Sequence, residues 1–221
     1  MSENDDTEEV DPEVLEVIQA MISPDNSPVW SPDTMTYFGP KSRAILVSGD
    51  IEEPLANGIC SQLYSLAEED PDGIITVHIN TPGGSVVDAL AIYDTMRIIP
   101  CPIVTLVSGS CYSGGIIVAL AGDMRVTTPN SMYFYHQPIM SSMSIDSEAV
   151  MDSNQSFYNW CRSKLRGIML EHTKMSVNTW NYEFGNSTSK YFDAAHAIKY
   201  KVATHMLDYS IKPKIEEIEE L

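Results

Sequence analysis

The feature that most constrains the fold is a glycine-flanked serine turn between two apolar runs near the middle of the chain. The run PIVTLV at 102–107 leads into GSCYSGG at 109–115, and the run IIVALA at 116–121 leaves it. Apolar runs of this length, punctuated by glycines, indicate a buried strand, a tight turn and then a helix. We therefore predict a strand–turn–helix unit with Ser113 held clear of both elements.

Ser113 has two interpretations at such a turn. The first backbone N–H groups of a helix are unpaired, and with the positive end of the helix dipole they suit an oxyanion. This makes Ser113 a candidate nucleophile, because those donors would stabilise the oxygen of an attacked carbonyl group. The alternative is that Ser113 only caps the helix through its hydroxyl group.

Segments typical of strands and helices alternate with short links from residue 43 onward. We predict strands at 44–49, 74–80, 102–107, 124–127 and 132–136, helices from 53, 86 and 116 and over 143–171, and helix caps at Ser176 and Asp193. Short strand–helix links imply right-handed crossovers and a mostly parallel sheet, so the expected fold class is α/β. The first of these helices has an apolar stripe on one face, Ile98 belongs to the periodic apolar positions of the second, and Phe157 and Trp160 are apolar positions of the long one; the stripe consists of Leu55, Ile59, Leu63 and Leu66.

Composition and charge count against several classes of protein. No run approaches the roughly 18 apolar residues of a membrane span, and the net charge of −18 argues against nucleic acid and anionic membranes as partners. The acidic N-terminus lacks the apolar region of a secretory signal, so a cytoplasmic location is expected. No metal or cofactor is expected, because zinc-type spacing is absent from the cysteines, which we expect to be reduced: Cys60, Cys101, Cys111 and Cys161.

The chain is predicted to have three parts. Residues 1–40 are an acidic arm with a short candidate helix and a proline-rich connector. Residues 41–209 carry the alternating strands and helices of the main domain. Residues 210–221 are a charged C-terminal tail.

A nucleophilic serine needs a base, and the five histidines differ in their sequence context. His136 ends an aromatic strand just before Gln137-Pro138, and strand ends are where a scaffold presents catalytic groups. His78 lies inside an apolar strand and is expected to be a core residue. The other three are expected at the surface: His172, His196 and His205.

Gly83 and Gly84 are a second candidate source of oxyanion donors. Only glycine lets backbone N–H groups approach a substrate so closely. The alternative is an ordinary tight turn at 81–85 with Ser85 as the cap of the next helix.

Five motifs, in a fixed order, resemble the ClpP-like proteolytic subunits of the Clp protease family. They are INTPGGS at 79–85, AIYDTM at 91–96, G-x-x-x-S-x-G at 109–115, PNS at 129–131 and HQP at 136–138. The order and spacing fit from residue 43 to about residue 209. The resemblance implies a ClpP/crotonase-type fold, a spiral of repeated β-β-α units with a protruding handle helix at about 140–171.

The same resemblance implies an activity and its residues. The chain would be a serine endopeptidase subunit of the ATP-dependent type, which cuts unfolded proteins or peptides inside an oligomeric chamber. Ser113 would be the nucleophile, His136 the general base, and the N–H groups of Gly84 and Gly114 the oxyanion donors. The implied partners are further copies in stacked heptameric rings, and an AAA+ unfoldase or a ClpP-like paralogue.

The third catalytic position departs from the family pattern. The family has an Asp two residues before an aromatic residue that Tyr191 matches here, which implies Ser189 at that position. The segment is longer than usual, so Asn186 or Glu183 could fill the role instead. Lys201 stands where the family usually has glycine.

A neutral third residue leaves two functions open. It can hold the histidine tautomer, but in the best-studied Ser-His-Asp enzyme the change of Asp to Asn costs about ten-thousand-fold in kcat. The alternative is therefore a catalytically weak or inactive ring subunit with a scaffolding or regulatory role. A third hypothesis is an acyl-CoA enzyme of the same fold. The small number of basic residues near the glycine turns argues against it, because they offer little to the phosphates of CoA.

Overall fold

The structure, a computed structural model, describes residues 43–139, 147–185 and 189–207. Its strands are β1 Ala44–Ile51, β2 Ile75–Gly84, β3 Ile103–Tyr112, β4 Met124–Thr127, β5 Met132–His136, β6 Ser189–Asp193 and β7 His205–Met206. Its helices are α1 Glu53–Glu69, α2 Val86–Ile98, α3 Gly114–Leu120, α4 Glu148–Thr173, α5 Val177–Trp180 and α6 Ala194–Lys199, with a π-helical turn at Asn181–Gly185. The predicted N-terminal arm and charged tail lie outside the described residues.

In these ranges the strands form one seven-stranded sheet of mostly parallel pairs. The main path runs β1-β2-β3-β4-β7, and β5 lies beside β3 in parallel and beside β6 in antiparallel. The predicted α/β fold class, with a mostly parallel sheet, is confirmed. None of the helices in the described ranges is both long and apolar enough to cross a membrane.

The prediction of a free glycine turn at 81–85 is wrong for most of that segment. Strand β2 continues through it, with Gly84 opposite Ile51 after a shift of register. Thr81 holds the segment to the sheet, because its hydroxyl donates to the Gly49 carbonyl at 2.5 Å and accepts from the Gly83 N–H at 3.0 Å. Pairing with a neighbouring strand has thus overridden the local turn signal. Ser85 does cap α2, and its hydroxyl accepts from the Asp88 N–H at 3.3 Å.

The core lies between the sheet and the inner faces of the helices. In α1 the predicted stripe is confirmed, since Ile59 and Leu63 are at most 1% exposed and Leu55 and Leu66 pack partly buried beside them. Helix α3 is buried along its whole length. Ile98, which continues the apolar period of α2 in the sequence, is the last residue of the helix and is 71% exposed.

Helix α4 joins the core only through its second half. Its buried side chains are Cys161, Leu165, Met169 and Thr173. Phe157 and Trp160, two of the apolar positions predicted for this helix, are 40% and 43% exposed, and their rings stack on each other. The first half of α4 therefore carries its apolar groups outside the core, within the range predicted for a handle helix.

Two of the three histidines expected at the surface are placed differently. His205 is 9% exposed in β7, the short strand that pairs with β4 at the end of the main path of the sheet. His172 is half-buried, and its Nε2 lies 2.7 Å from the hydroxyl of Tyr93. His196 is exposed, as predicted, and pairs with Asp193.

Candidate active site

Ser113 has a strained backbone between β3 and α3. Its φ of 51° and ψ of −117° lie outside the regions that residues other than glycine normally adopt, at a cost of about 1–3 kcal/mol. The N–H of Ser113 donates to the Phe134 carbonyl at 2.7 Å, which ties the strained residue to β5. Its hydroxyl makes no capping bond to the start of α3, so the capping alternative is not supported. A serine held on a strained strand-to-helix turn is typical of a nucleophile.

The segment Gly83-Gly84 packs directly against this serine. A Cβ added at Gly83, where φ is 94°, would lie 2.7 Å from the Ser113 Cβ and 3.0 Å from the Gly114 nitrogen. A Cβ added at Gly114 would lie 3.7 Å from the Gly84 nitrogen. Because Gly83 and Gly84 have no side chains, their backbone can lie directly against the backbone of Ser113 and Gly114. This arrangement suits the predicted use of the Gly84 and Gly114 N–H groups as oxyanion donors.

His136 reaches the same end of the sheet along β5. The pair Tyr112–Phe134 is the last in the parallel ladder of β3 and β5, so Ser113 and His136 follow it on neighbouring strands. Both residues line one cavity. The His136 Nδ1 lies 2.6 Å from the Gln137 carbonyl oxygen. Because a carbonyl oxygen can only accept, Nδ1 carries a proton, and Nε2 of the neutral ring is left able to take one.

The cavity has a volume of about 610 Å³, in the range of small-ligand sites. One wall is apolar and comes from α4, through Phe157, Cys161 and Leu165. Asp50 and Glu52 also line it, and no Lys or Arg is among the described lining residues. A pocket without basic groups offers little to the phosphates of an acyl-CoA. Burial raises the pKa of the Cys161 thiol, so this cysteine stays protonated and only forms part of the cavity wall.

The three candidates for the third catalytic position differ in their placement. Ser189 is the Cα partner of His136 in the antiparallel pair β5–β6. The next residue along, Lys190, points to the opposite face of the strand and binds the carboxylate of Glu183, which also accepts from the Tyr200 hydroxyl. The hydrogen bond from Lys190 holds the pKa of Glu183 below its usual range.

Glu183 is thus engaged on the face of the strand away from His136. Asn186 lies outside the described residues. Ser189 is the candidate that the sheet register brings beside the histidine.

Sequence reasoning missed the aromatic stack that supports the histidine. Phe134 stacks on Tyr191 with ring centroids 4.1 Å apart, and its centroid lies 5.4 Å from that of the His136 ring. The ring of Tyr112 packs edge-on against the rings of Phe134 and Tyr191. The signal was present in the two-residue period of β5, which puts Phe134 and His136 on one face. The role of the Gln137 carbonyl was also missed, since a main-chain carbonyl has no signature in a sequence.

A strained serine and a tautomer-fixed histidine at one end of a parallel sheet define the class of α/β proteins with a serine–histidine site. A family model described as Clp protease matches residues 34–209. An ATP-dependent Clp protease proteolytic subunit from Leuconostoc citreum (strain KM20) is 35% identical over 141 residues, which are 63% of this chain and 70% of that protein. The chain belongs to the Clp protease family.

Proposed function

We propose that this chain is a serine endopeptidase that cleaves peptide bonds by acyl transfer. Ser113 attacks the substrate carbonyl carbon, and its proton passes to Nε2 of His136. The proton is then given to the leaving amine, and water later releases the acyl group by the same route. The observation that carries the proposal is the strained backbone of Ser113, a residue whose hydroxyl makes no capping bond to α3.

The oxyanion of the tetrahedral intermediate is assigned to the N–H groups of Gly84 and Gly114. The close approach of these two backbones beside Ser113 supports the assignment. The apolar wall from α4 supports a peptide side chain as the group that fills the cavity. The substrates we propose are unfolded chains or short peptides.

We further propose that the subunit works in stacked rings, fed by an ATP-dependent unfoldase. The relative from Leuconostoc citreum is named as an ATP-dependent proteolytic subunit, and this is the support for the partner. The exposed pair of Phe157 and Trp160 on α4 supports an interface with another copy along the handle helix. The four cysteines are free, which suits a reducing cytoplasm.

A second candidate is a weak or inactive ring subunit with a scaffolding or regulatory role. The observation that favours it is Ser189, which stands opposite His136 where the resemblance implies an acid. Without that charge, the imidazolium formed during attack is less stable.

Labelling with a fluorophosphonate probe distinguishes the two functions, with peptide hydrolysis measured in parallel. We expect the intact oligomer to be labelled, and Ser113→Ala to lose both labelling and roughly a thousandfold or more of the hydrolysis rate. Ser110→Ala is the matched control, because this nearby serine only donates its hydroxyl to Asn80 in the described structure. An unlabelled wild-type oligomer would favour the second candidate, and equal hydrolysis in Ser113→Ala would refute the first.

A further inference from the structure

We propose that Gln137 is the positioning residue of the site, and that its main-chain carbonyl orients His136 as the acid does in a Ser-His-Asp triad. The inference rests on the proposed function. It begins from the distance of 2.6 Å between Nδ1 of His136 and the Gln137 oxygen. This bond needs Nδ1 protonated, which is the tautomer that a catalytic acid otherwise selects.

The Gln137 carbonyl is held from both sides. Pro138 follows it, and a residue before proline is restricted to extended backbone. On the other side, the Gln137 side-chain Nε2 donates to the carbonyl of Phe184 at 3.2 Å. Phe184 is itself completely buried. The oxygen that meets the histidine is therefore fixed in space by the core.

The buried amide of Gln137 also points to a function of the side chain. Its Oε1 is buried and has no hydrogen-bond partner among the residues that the structure describes. An unsatisfied buried acceptor is unfavourable, and an apolar side chain of the same size would avoid it. An amide at this position is understandable if its hydrogen bond to the Phe184 carbonyl is needed to hold the backbone beside His136.

A neutral acceptor predicts a particular kind of catalysis. When Ser113 gives its proton to Nε2, the Nδ1–H of the imidazolium continues to donate to the Gln137 oxygen. The bond strengthens as the ring becomes charged, but no full negative charge faces it. The site keeps the geometry of a triad, with a neutral carbonyl oxygen in the place of a carboxylate.

The test measures the pH dependence of fluorophosphonate labelling, with kcat and KM for a peptide, in the whole oligomer. Gln137→Met keeps the size of the side chain, removes the bond to Phe184 and removes the unsatisfied oxygen, so the protein is expected to fold. We expect kcat to fall about tenfold or more with KM within about twofold. The midpoint of labelling moves to lower pH, because the imidazolium has lost a fixed acceptor.

Three further variants make the result decisive. Ser189→Ala is expected to lose less of kcat than Gln137→Met, and Ser189→Asp to move the labelling midpoint to higher pH because it sets a carboxylate opposite His136. Met132→Ala, at the far end of β5, is the control expected to leave kcat and the midpoint unchanged.

Two outcomes overturn the inference while the proposed function stands. One is a labelled wild type in which Gln137→Met keeps the wild-type kcat and midpoint. The other is a larger loss of kcat in Ser189→Ala, which would make Ser189 the orienting group. A wild type that is not labelled at all overturns the proposed function itself.

Discussion

Three described residues other than glycine have a positive φ: Ser113 at 51°, Lys174 at 54° and Lys201 at 57°. The conformation at Ser113 belongs to the candidate site. At the two lysines it only turns the chain, after α4 and after α6. Lys201 stands where the family resemblance implies glycine, and its positive φ gives the physical reason, since glycine adopts this conformation without strain.

We expect Lys174→Gly and Lys201→Gly each to raise the free energy of unfolding by up to about 1 kcal/mol, because glycine relieves the left-handed strain. Urea unfolding of each variant at matched oligomer concentration measures the change. Lys164→Gly, in the middle of α4, is the control and should lose about 1 kcal/mol. A loss of stability in Lys201→Gly would mean that the lysine side chain makes a contact worth more than the strain.

Helices α1 and α4 each carry an exposed glycine in their interior, Gly58 and Gly167. A Cβ at either position would meet no atom within 4 Å. Glycine costs helical stability relative to alanine because it loses more backbone freedom on folding. Gly115 in α3 is different, because a Cβ there would lie 2.7 Å from Cγ2 of Thr81.

We expect Gly58→Ala and Gly167→Ala each to stabilise the fold by roughly 0.5–1 kcal/mol. Gly115→Ala is the matched helical control and should destabilise it by about 1–3 kcal/mol, because the new methyl group is overpacked against Thr81. Thermal unfolding of the three variants compares them. If Gly167→Ala destabilises while Gly58→Ala does not, the bare face of α4 is needed for contact with another chain.

Elements set by local pattern could be predicted, and those set by distant partners could not. The strand and helix around Ser113 followed from apolar runs and glycine punctuation, and α1 from its helical stripe. Strand β6 was not predicted, because Ser189–Asp193 becomes a strand only by pairing with β5. The same holds within the site. Ser113 and His136 were found from their places at element ends, whereas Gln137 acts through a backbone atom whose position depends on Pro138 and Phe184.

Folding lowers the pKa of several groups in the described part of the chain, among them two histidines and one glutamate. Burial lowers the pKa of His78, burial and the charge of Arg125 lower that of His172, and the hydrogen bond from Lys190 lowers that of Glu183. Each such group contributes stability above its unfolded pKa, and this contribution is lost as the pH falls through the folded pKa. The contributions of His78 and His172 to stability begin to decrease below about pH 6.5, and that of Glu183 begins to decrease below about pH 4.5.

We expect Glu183→Gln to lose stability relative to wild type at pH 7, and this difference to shrink as the pH falls below about 4.5. The reason is that acid protonates Glu183 in the wild type and ends its attraction for Lys190 there as well. Urea midpoints of both proteins at pH 7, 5, 4 and 3 measure the difference. Comparing the two proteins at each pH cancels the general effect of acid on a chain with a net charge of −18. A difference that stays constant with pH would show that the pair with Lys190 does not carry the effect.

The strained turn at Ser113 implies that a substitution which removes the proposed nucleophile can make the fold more stable. Ser113→Gly relieves the φ of 51° and is expected to raise the free energy of unfolding by about 1 kcal/mol or more, whereas Ser113→Ala keeps the strain and should not. Urea unfolding of the two inactive variants side by side checks this. A subunit released from catalysis would therefore gain by drifting to glycine at this position. Under the proposed function, the hydroxyl of Ser113 is therefore held in place at a cost in stability that Ser113→Gly would recover.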